Sequence, residues 1–211
     1  SNTYRKQLLR EDIRDLASLR SIEDVEILFS LLPSKIGSPL SMASLARDIN
    51  VSFDSVRNWI EIFESFFMVF RVAPWTRKIS RAITKEKKLY LFDYAGIDSP
   101  AAKFENMVAL ELFRAVSNWN DLGRGNFSLH YLRNRDREEV DFLISNNHDP
   151  FLLIETKLAD DYASKSLIKF QKILNITAVQ LVNRADICKL VSNNNLKIII
   201  NSADHWLSLL P

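Results

Sequence analysis

Two polar interruptions stand in otherwise apolar stretches of this 211-residue chain. Asp141 lies in Glu139-Val140-Asp141-Phe142-Leu143-Ile144, and Glu155 with Lys157 lies in Phe151-Leu152-Leu153-Ile154-Glu155-Thr156-Lys157. Strand side chains alternate, so Glu155 and Lys157 share one face while Thr156 points to the other. Ser145-Asn146-Asn147-His148-Asp149-Pro150 supplies a turn between the two strands. A hairpin turning about His148 sets Asp141 opposite Glu155, with Cβ atoms ~4.5–5.5 Å apart. Two carboxylates so close repel unless a positive charge lies between them. A hard divalent cation, Mg²⁺ or Mn²⁺, held by Asp141 and Glu155 meets that need, and Lys157 would orient a water or offset phosphate charge. The chemistry expected is metal-assisted phosphodiester hydrolysis, with Glu105 on a preceding helix as an additional acid that positions water or metal.

The elements that must carry these residues follow from periodicity. Apolar residues from Tyr4 to Leu32 recur at three- and four-residue steps and predict two amphipathic helices with a break near Ser21. Leu40 to Ser52 reads as a short capped helix and a tight turn, followed by a longer helix from Phe53 to about Glu64, which is helix-turn-helix spacing. Strand-like stretches at 66–72 and 89–92 flank a basic run, and the whole resembles a winged helix. The run 71–88 holds seven basic residues against Glu86 alone. It is a phosphate-contacting strip or a solvated wing. The nucleic-acid-binding candidates are Arg57, Arg77, Lys78 and Arg81. The outward acids Asp54, Glu61 and Glu64 match a phosphate-lined groove poorly.

A second unit starts near Ser99-Pro100. Its expected order is a helix over 101–117, strands over 127–132, 139–145 and 150–157, a helix over 164–174, a strand over 178–182, a helix over 185–191, a strand over 197–200 and a final helix over 203–209. That is an α/β arrangement, α+β over the whole chain, with a mixed sheet flanked by helices. The domains expected are 1–98, helical and winged, and 99–211, the sheet unit. Arg133, Arg135 and Arg137 read as a charge-paired loop, Lys165 and Gln171 as a solvated helix face, and Cys188 as a small core residue.

Here the chain resembles a family. Asp141 followed by Glu155-x-Lys157 across a hairpin, with Glu105 on the helix before, resembles the core of the PD-(D/E)xK nuclease superfamily, with Val140 where the superfamily's name has proline. The order of winged helix, Phe104-Glu105-Asn106, Tyr131-x-Arg133, Glu139-Val140-Asp141-Phe142 and Ile154-Glu155-Thr156-Lys157 is similar to uncharacterised bacterial and archaeal ATP-binding proteins. In that family an AAA-type ATPase module precedes a domain of unknown function with a restriction-endonuclease-like fold. The resemblance implies an upstream ATPase partner, Asp141 and Glu155 as metal positions, and Lys157 and Glu105 as catalytic ones. It leaves two functions open: a Mg²⁺-dependent nuclease-like domain acting on DNA, or a catalytically inactive nuclease fold that binds DNA or a partner protein and regulates the ATPase.

Composition bounds these readings. The chain is 47% apolar and 26% charged, with 28 basic against 26 acidic residues, an ordinary globular balance. No apolar run approaches the ~20 residues of a membrane span. One cysteine and three scattered histidines exclude a disulfide framework and a Cys/His zinc site, and a reducing, cytoplasmic setting is expected. Four glycines write no phosphate-binding loop, so nucleotide binding belongs elsewhere. The opening Ser1-Asn2-Thr3, without methionine, is expected to begin a piece of a longer protein.

Overall fold

The computed structural model describes residues 22–77, 85–193 and 196–211. The first of the two helices expected before Leu32 lies outside these residues; the second is α1, Ile22–Leu31, continued by a 3₁₀ turn over Leu32–Lys35. Pro33 at the start of that turn ends the α-helical ladder. Helices α2, Met42–Asp48, and α3, Phe53–Ser65, follow with a turn between them. Each begins on a serine whose hydroxyl satisfies an otherwise orphaned backbone N–H, Ser41 for Ser44 and Ser52 for Ser55. Asn50 takes the left-handed conformation in the turn, at φ 56°. Val56, Trp59, Ile60 and Phe63 form the buried face of α3 at helical spacing.

Strands β1, Val69–Pro74, and β2, Lys88–Leu91, pair antiparallel. Helix α4 spans Pro100–Asp121, capped by Ser99 and entered through Pro100. Three antiparallel strands come next: β3, Phe127–Arg133; β4, Glu139–Asn146; and β5, Asp149–Lys157. Helix α5, Lys165–Leu174, then leads to β6, Thr177–Val182, and β7, Cys188–Asn193; the chain closes with β8, Leu196–Ser202, and α6, Ala203–Leu207.

Among the described residues these strands form one eight-stranded mixed sheet in the order β2-β1-β3-β4-β5-β6-β8-β7. Pairings β1/β3, β5/β6 and β6/β8 are parallel and the others antiparallel. Helix α4 buries Phe104, Val108 and Leu112 with Phe142, Ile144, Ile154 and Leu181 from one face of the sheet. Helix α5 buries Leu167 and Phe170 with Leu143, Leu153, Ala178 and Ile198 from the other. The first cluster also contains Leu28, Ile60, Phe63 and Leu89, so apolar packing runs without a gap across residue 98. Among the described residues, only Ala73 with His130 and Pro74 with Tyr131 carry the ladder across the same position.

The segment expected as a helix over 185–191 is instead a turn and the edge strand β7, which pairs along its whole length with β8. Short apolar runs fit either period, and here the exposed edge of β8 supplied backbone partners that a helix would have left unpaired. Asp186, at φ 60°, makes the turn. Cys188 is exposed on this strand and is not a core residue. Gln171 is buried, donating through Nε2 to the Lys197 carbonyl, whereas Lys165 is exposed as expected. Among the described residues no helix is long and apolar enough to cross a membrane.

Candidate functional site

The four residues expected to do chemistry come together at the middle of the sheet, with partners the sequence reading left out. The turn pairs Asn146 with Asp149 and Ser145 with Pro150, and a register shift between Ile144 and Ser145 then places Phe142 opposite Ile154. One step further along the strands Asp141 adjoins Glu155, its N–H 3.4 Å from Glu155 Oε2. Their carboxylates, however, leave on different sides. Asp141 Oδ2 accepts from Thr156 N (2.8 Å) and Thr156 Oγ1 (2.7 Å), so it shares the α4 face with Thr156. Glu155 and Lys157 alternate with Thr156 onto the α5 face, where Lys157 Nζ stands 2.7 Å from Glu155 Oε1. The cause is a register shift in the β3/β4 pairing between His130 and Leu132. Across it, Val140 packs with the α5 cluster while Phe142 packs with the α4 cluster, so alternation breaks at Asp141.

On the α4 face the acids surround a lysine. Lys88, the first residue of β2, is 0% exposed. Its Nζ lies 3.0 Å from Glu105 Oε1, 2.5 Å from Glu139 Oε1 and 3.9 Å from Asp141 Oδ1. The ring of Tyr131 lies beneath the ammonium at 5.6 Å, a cation–π contact. Tyr90, two residues on and on the same strand face, donates its hydroxyl to Glu105 Oε1 at 2.8 Å. Gly37, at φ +84°, completes the enclosure; a Cβ there would sit 2.9 Å from Glu105 Oε2. Arg133 approaches Glu139 from outside at 3.7 Å.

Charge and burial set the protonation states. Burial opposes the Lys88 ammonium, but Glu105, Asp141 and Glu139 together outweigh it and hold its pKa above the ordinary lysine value. Burial, and then the charge of Asp141, push the Glu105 carboxyl upward against the pull of Lys88 and Tyr90. Glu155 is pushed up to about 7, first by burial and then by Asp141, with Lys157 pulling the other way. Lys157 is raised: burial works against its charge, and Glu155 more than restores it.

The donor set does not fit a divalent ion as it stands. The position between Glu105, Glu139 and Asp141 is filled by the Lys88 ammonium, and a second cation there would meet its full charge. Glu155 is turned to the opposite face and spends its oxygens on Lys157 and the Asp141 N–H, the latter at 3.4 Å. Among the described residues no three His, Cys, Asp or Glu side chains are grouped to hold a metal ion.

Sequence reasoning missed Lys88, Tyr90, Glu139 and Thr156. The signal for Lys88 was present: a charged residue opening the apolar Lys88-Leu89-Tyr90-Leu91 is the same kind of interruption that singled out Asp141 and Glu155. The basic run around it hid that signal. Of the nucleic-acid candidates, Arg57 and Arg77 are exposed, Arg57 pairing with Asp54 at 3.0 Å, while Lys78 and Arg81 lie outside the described residues.

With this geometry in place, comparison with known proteins adds three findings. Residues 1–97 match the model of a domain of unknown function, DUF8612, and residues 101–202 match that of a second, DUF4143. No curated protein matches the chain. A solved structure described as the refined half-complex from a tetradecameric assembly of Thermococcus gammatolerans McrB AAA+ hexamers with bound McrC aligns with 86% of this chain at 9% identity and a TM-score of 0.37. The chain spans about half of that solved chain, 47%, and a likeness this loose carries no argument about fold or function.

Proposed function

We propose that this chain is the region following an AAA-type ATPase module, and that its winged helix and PD-(D/E)xK-like sheet act as a binding and regulatory module, not as a hydrolase. The observation that carries the reading is the Lys88 ammonium between Glu105, Glu139 and Asp141. Where a nuclease would need an exchangeable cation, this chain holds a covalently tethered one. The lysine comes from the winged unit and the acids from the sheet unit, so the ion pairs join the two. Motion of one unit is thereby transmitted to the other, which suits a module that reports binding to an attached motor. The winged-helix assignment is supported by α2 and α3 followed by the β1/β2 hairpin. The upstream ATPase rests on the motif order from Phe104-Glu105-Asn106 to Ile154-Glu155-Thr156-Lys157.

Calorimetric titration of Mg²⁺ and Mn²⁺ into the 211-residue chain, with cleavage assays on single- and double-stranded DNA, tests this. The expected result is no stoichiometric ion uptake and no cleavage. One ion bound per chain, and lost in both Asp141→Ala and Glu155→Ala, would overturn it. The second reading, a Mg²⁺-dependent nuclease, is favoured by the Glu155–Lys157 pair beside Asp141. It requires Lys88 to withdraw first.

A further inference from the structure

Resting on the reading of the chain as a binding module, we propose that the groove between α2, α3 and the segment entering β2 is a site for single-stranded nucleic acid, with Phe53 stacking on a base and Arg57, Lys85 and Lys87 meeting phosphates.

The groove encloses about 430 Å³, within the range of small-ligand clefts. Leu40 and Met42 give it apolar lining, and Arg57, Lys85 and Lys87 supply cations. Phe53 is the first residue of α3 and lies off the face that buries Val56, Trp59, Ile60 and Phe63. It is 49% exposed within the groove. An aromatic face beside cations is the pairing that holds single strands, since every base can stack and the flexible backbone bends toward the charges.

Charge placement favours a single strand over a duplex. A duplex docked on α3 would bring phosphates past the exposed Asp54 and Glu61, Glu64 being taken up by Arg71. A single strand can instead stack on Phe53 inside the groove, where Glu61 is the α3 acid in the lining. Two cations near the groove are already committed: Arg71 is bonded to Glu64, and Lys88 belongs to the buried acids. Arg57 is held only by an exposed pair with Asp54, which is weak in water. Glu61 and Glu86 also line the groove and temper its charge. The site is therefore one of modest affinity, tolerant of sequence and sensitive to salt.

Fluorescence anisotropy with a labelled oligothymidylate of about ten nucleotides, against a duplex of equal length and over a salt series, decides the matter. The single strand should bind more tightly than the duplex. Phe53→Ala should weaken binding by about tenfold and leave the salt slope unchanged, since it removes stacking and no charge. K85E/K87E should weaken binding and flatten the slope by about 0.7 for each phosphate no longer neutralised. These side chains lie outside the buried core, and circular dichroism will show that the variants fold. Equal or tighter binding of the duplex, no oligonucleotide binding at low salt, or an unaffected Phe53→Ala overturns the proposal. None of those outcomes touches the metal titration, so the binding-module reading stands or falls separately.

Discussion

The two faces of the sheet treat the same pair of strands in opposite ways. On the α4 side, Asp141 joins Glu105 and Glu139 around a lysine delivered from another unit, closed over by Tyr90 and Gly37. On the α5 side, Glu155 is buried with a lysine from its own strand, and that lysine keeps a third of its side chain in water. The first centre has three acids around a fully buried lysine, with Arg133 reaching Glu139 from outside; the second has one acid and one lysine and is open at the rim. Buried charge is tolerated in both because each acid has a partner, but only the first depends on a contact between distant parts of the chain.

Removing the long-range partner should break the contrast most strongly. Lys88→Met leaves Glu105 and Asp141 without their cation, and Glu139 with Arg133 at 3.7 Å, and should cost about 3–5 kcal/mol in urea unfolding. Adding Glu105→Gln to that variant should recover part of the loss. If Lys88→Met unfolds like the wild type, the ammonium does not join the units.

The next effect is a pH dependence. Glu155 has a folded pKa of about 7 against an ordinary value of 4.5, so the folded state holds its proton more tightly than the unfolded state. Taken alone, Glu155 should lower stability by about 3 kcal/mol as pH rises from 4.5 to 7, and in the wild type His130 opposes it over much of the same window. Glu155→Gln should remove this contribution and leave stability rising with pH. His130 is depressed to about 4 from 6.5, by burial first and then by the nearby His148, and therefore costs stability as pH falls from 6.5 to 4. Unfolding free energies of both proteins over about pH 4–8 check the signs. An unchanged slope in Glu155→Gln would show that this carboxyl is not the group responsible.

A smaller effect separates the faces. Thr156→Val keeps the shape but removes one of the two protein donors to Asp141 Oδ2, and should cost about 1.5–3 kcal/mol, since the acceptor is charged. Smallest is Lys189→Ala at the edge of the sheet. Its ion pair with Asp161 is nearly half exposed on both sides, and the thermal unfolding midpoint should stay essentially that of the wild type.

Much of the sheet was legible because its signals are local. Ser41, Ser52, Ser99 and Ser164 each cap the helix expected after them. The Asn147-His148 turn was legible, but it pairs Asn146 with Asp149 and Ser145 with Pro150, and Phe142 meets Ile154 only through a register shift between Ile144 and Ser145. The segment 185–191 failed because its few apolar residues fit both periods, and the β8 edge chose between them. Asp141, Glu155 and Lys157 stand out as polar residues in apolar strands, and Glu105 as an acid on the helix before them. Their shared metal was an inference from two carboxylates on one face, and a one-residue register shift moved them onto two.

The sequence by itself determined where most helices start, which hairpin forms and that Asp141 and Glu155 stand in apolar strands, because capping, turn geometry and hydrophobic period act over a few residues. Tertiary structure alone decided what neutralises that charge. Lys88 reaches Glu105, 17 positions away, and Asp141, 53 positions away, because β1 pairs with β3 and carries β2 along with it. No local pattern encodes such a meeting. It follows from sheet order, and from the cost of leaving any of those charges in the interior alone.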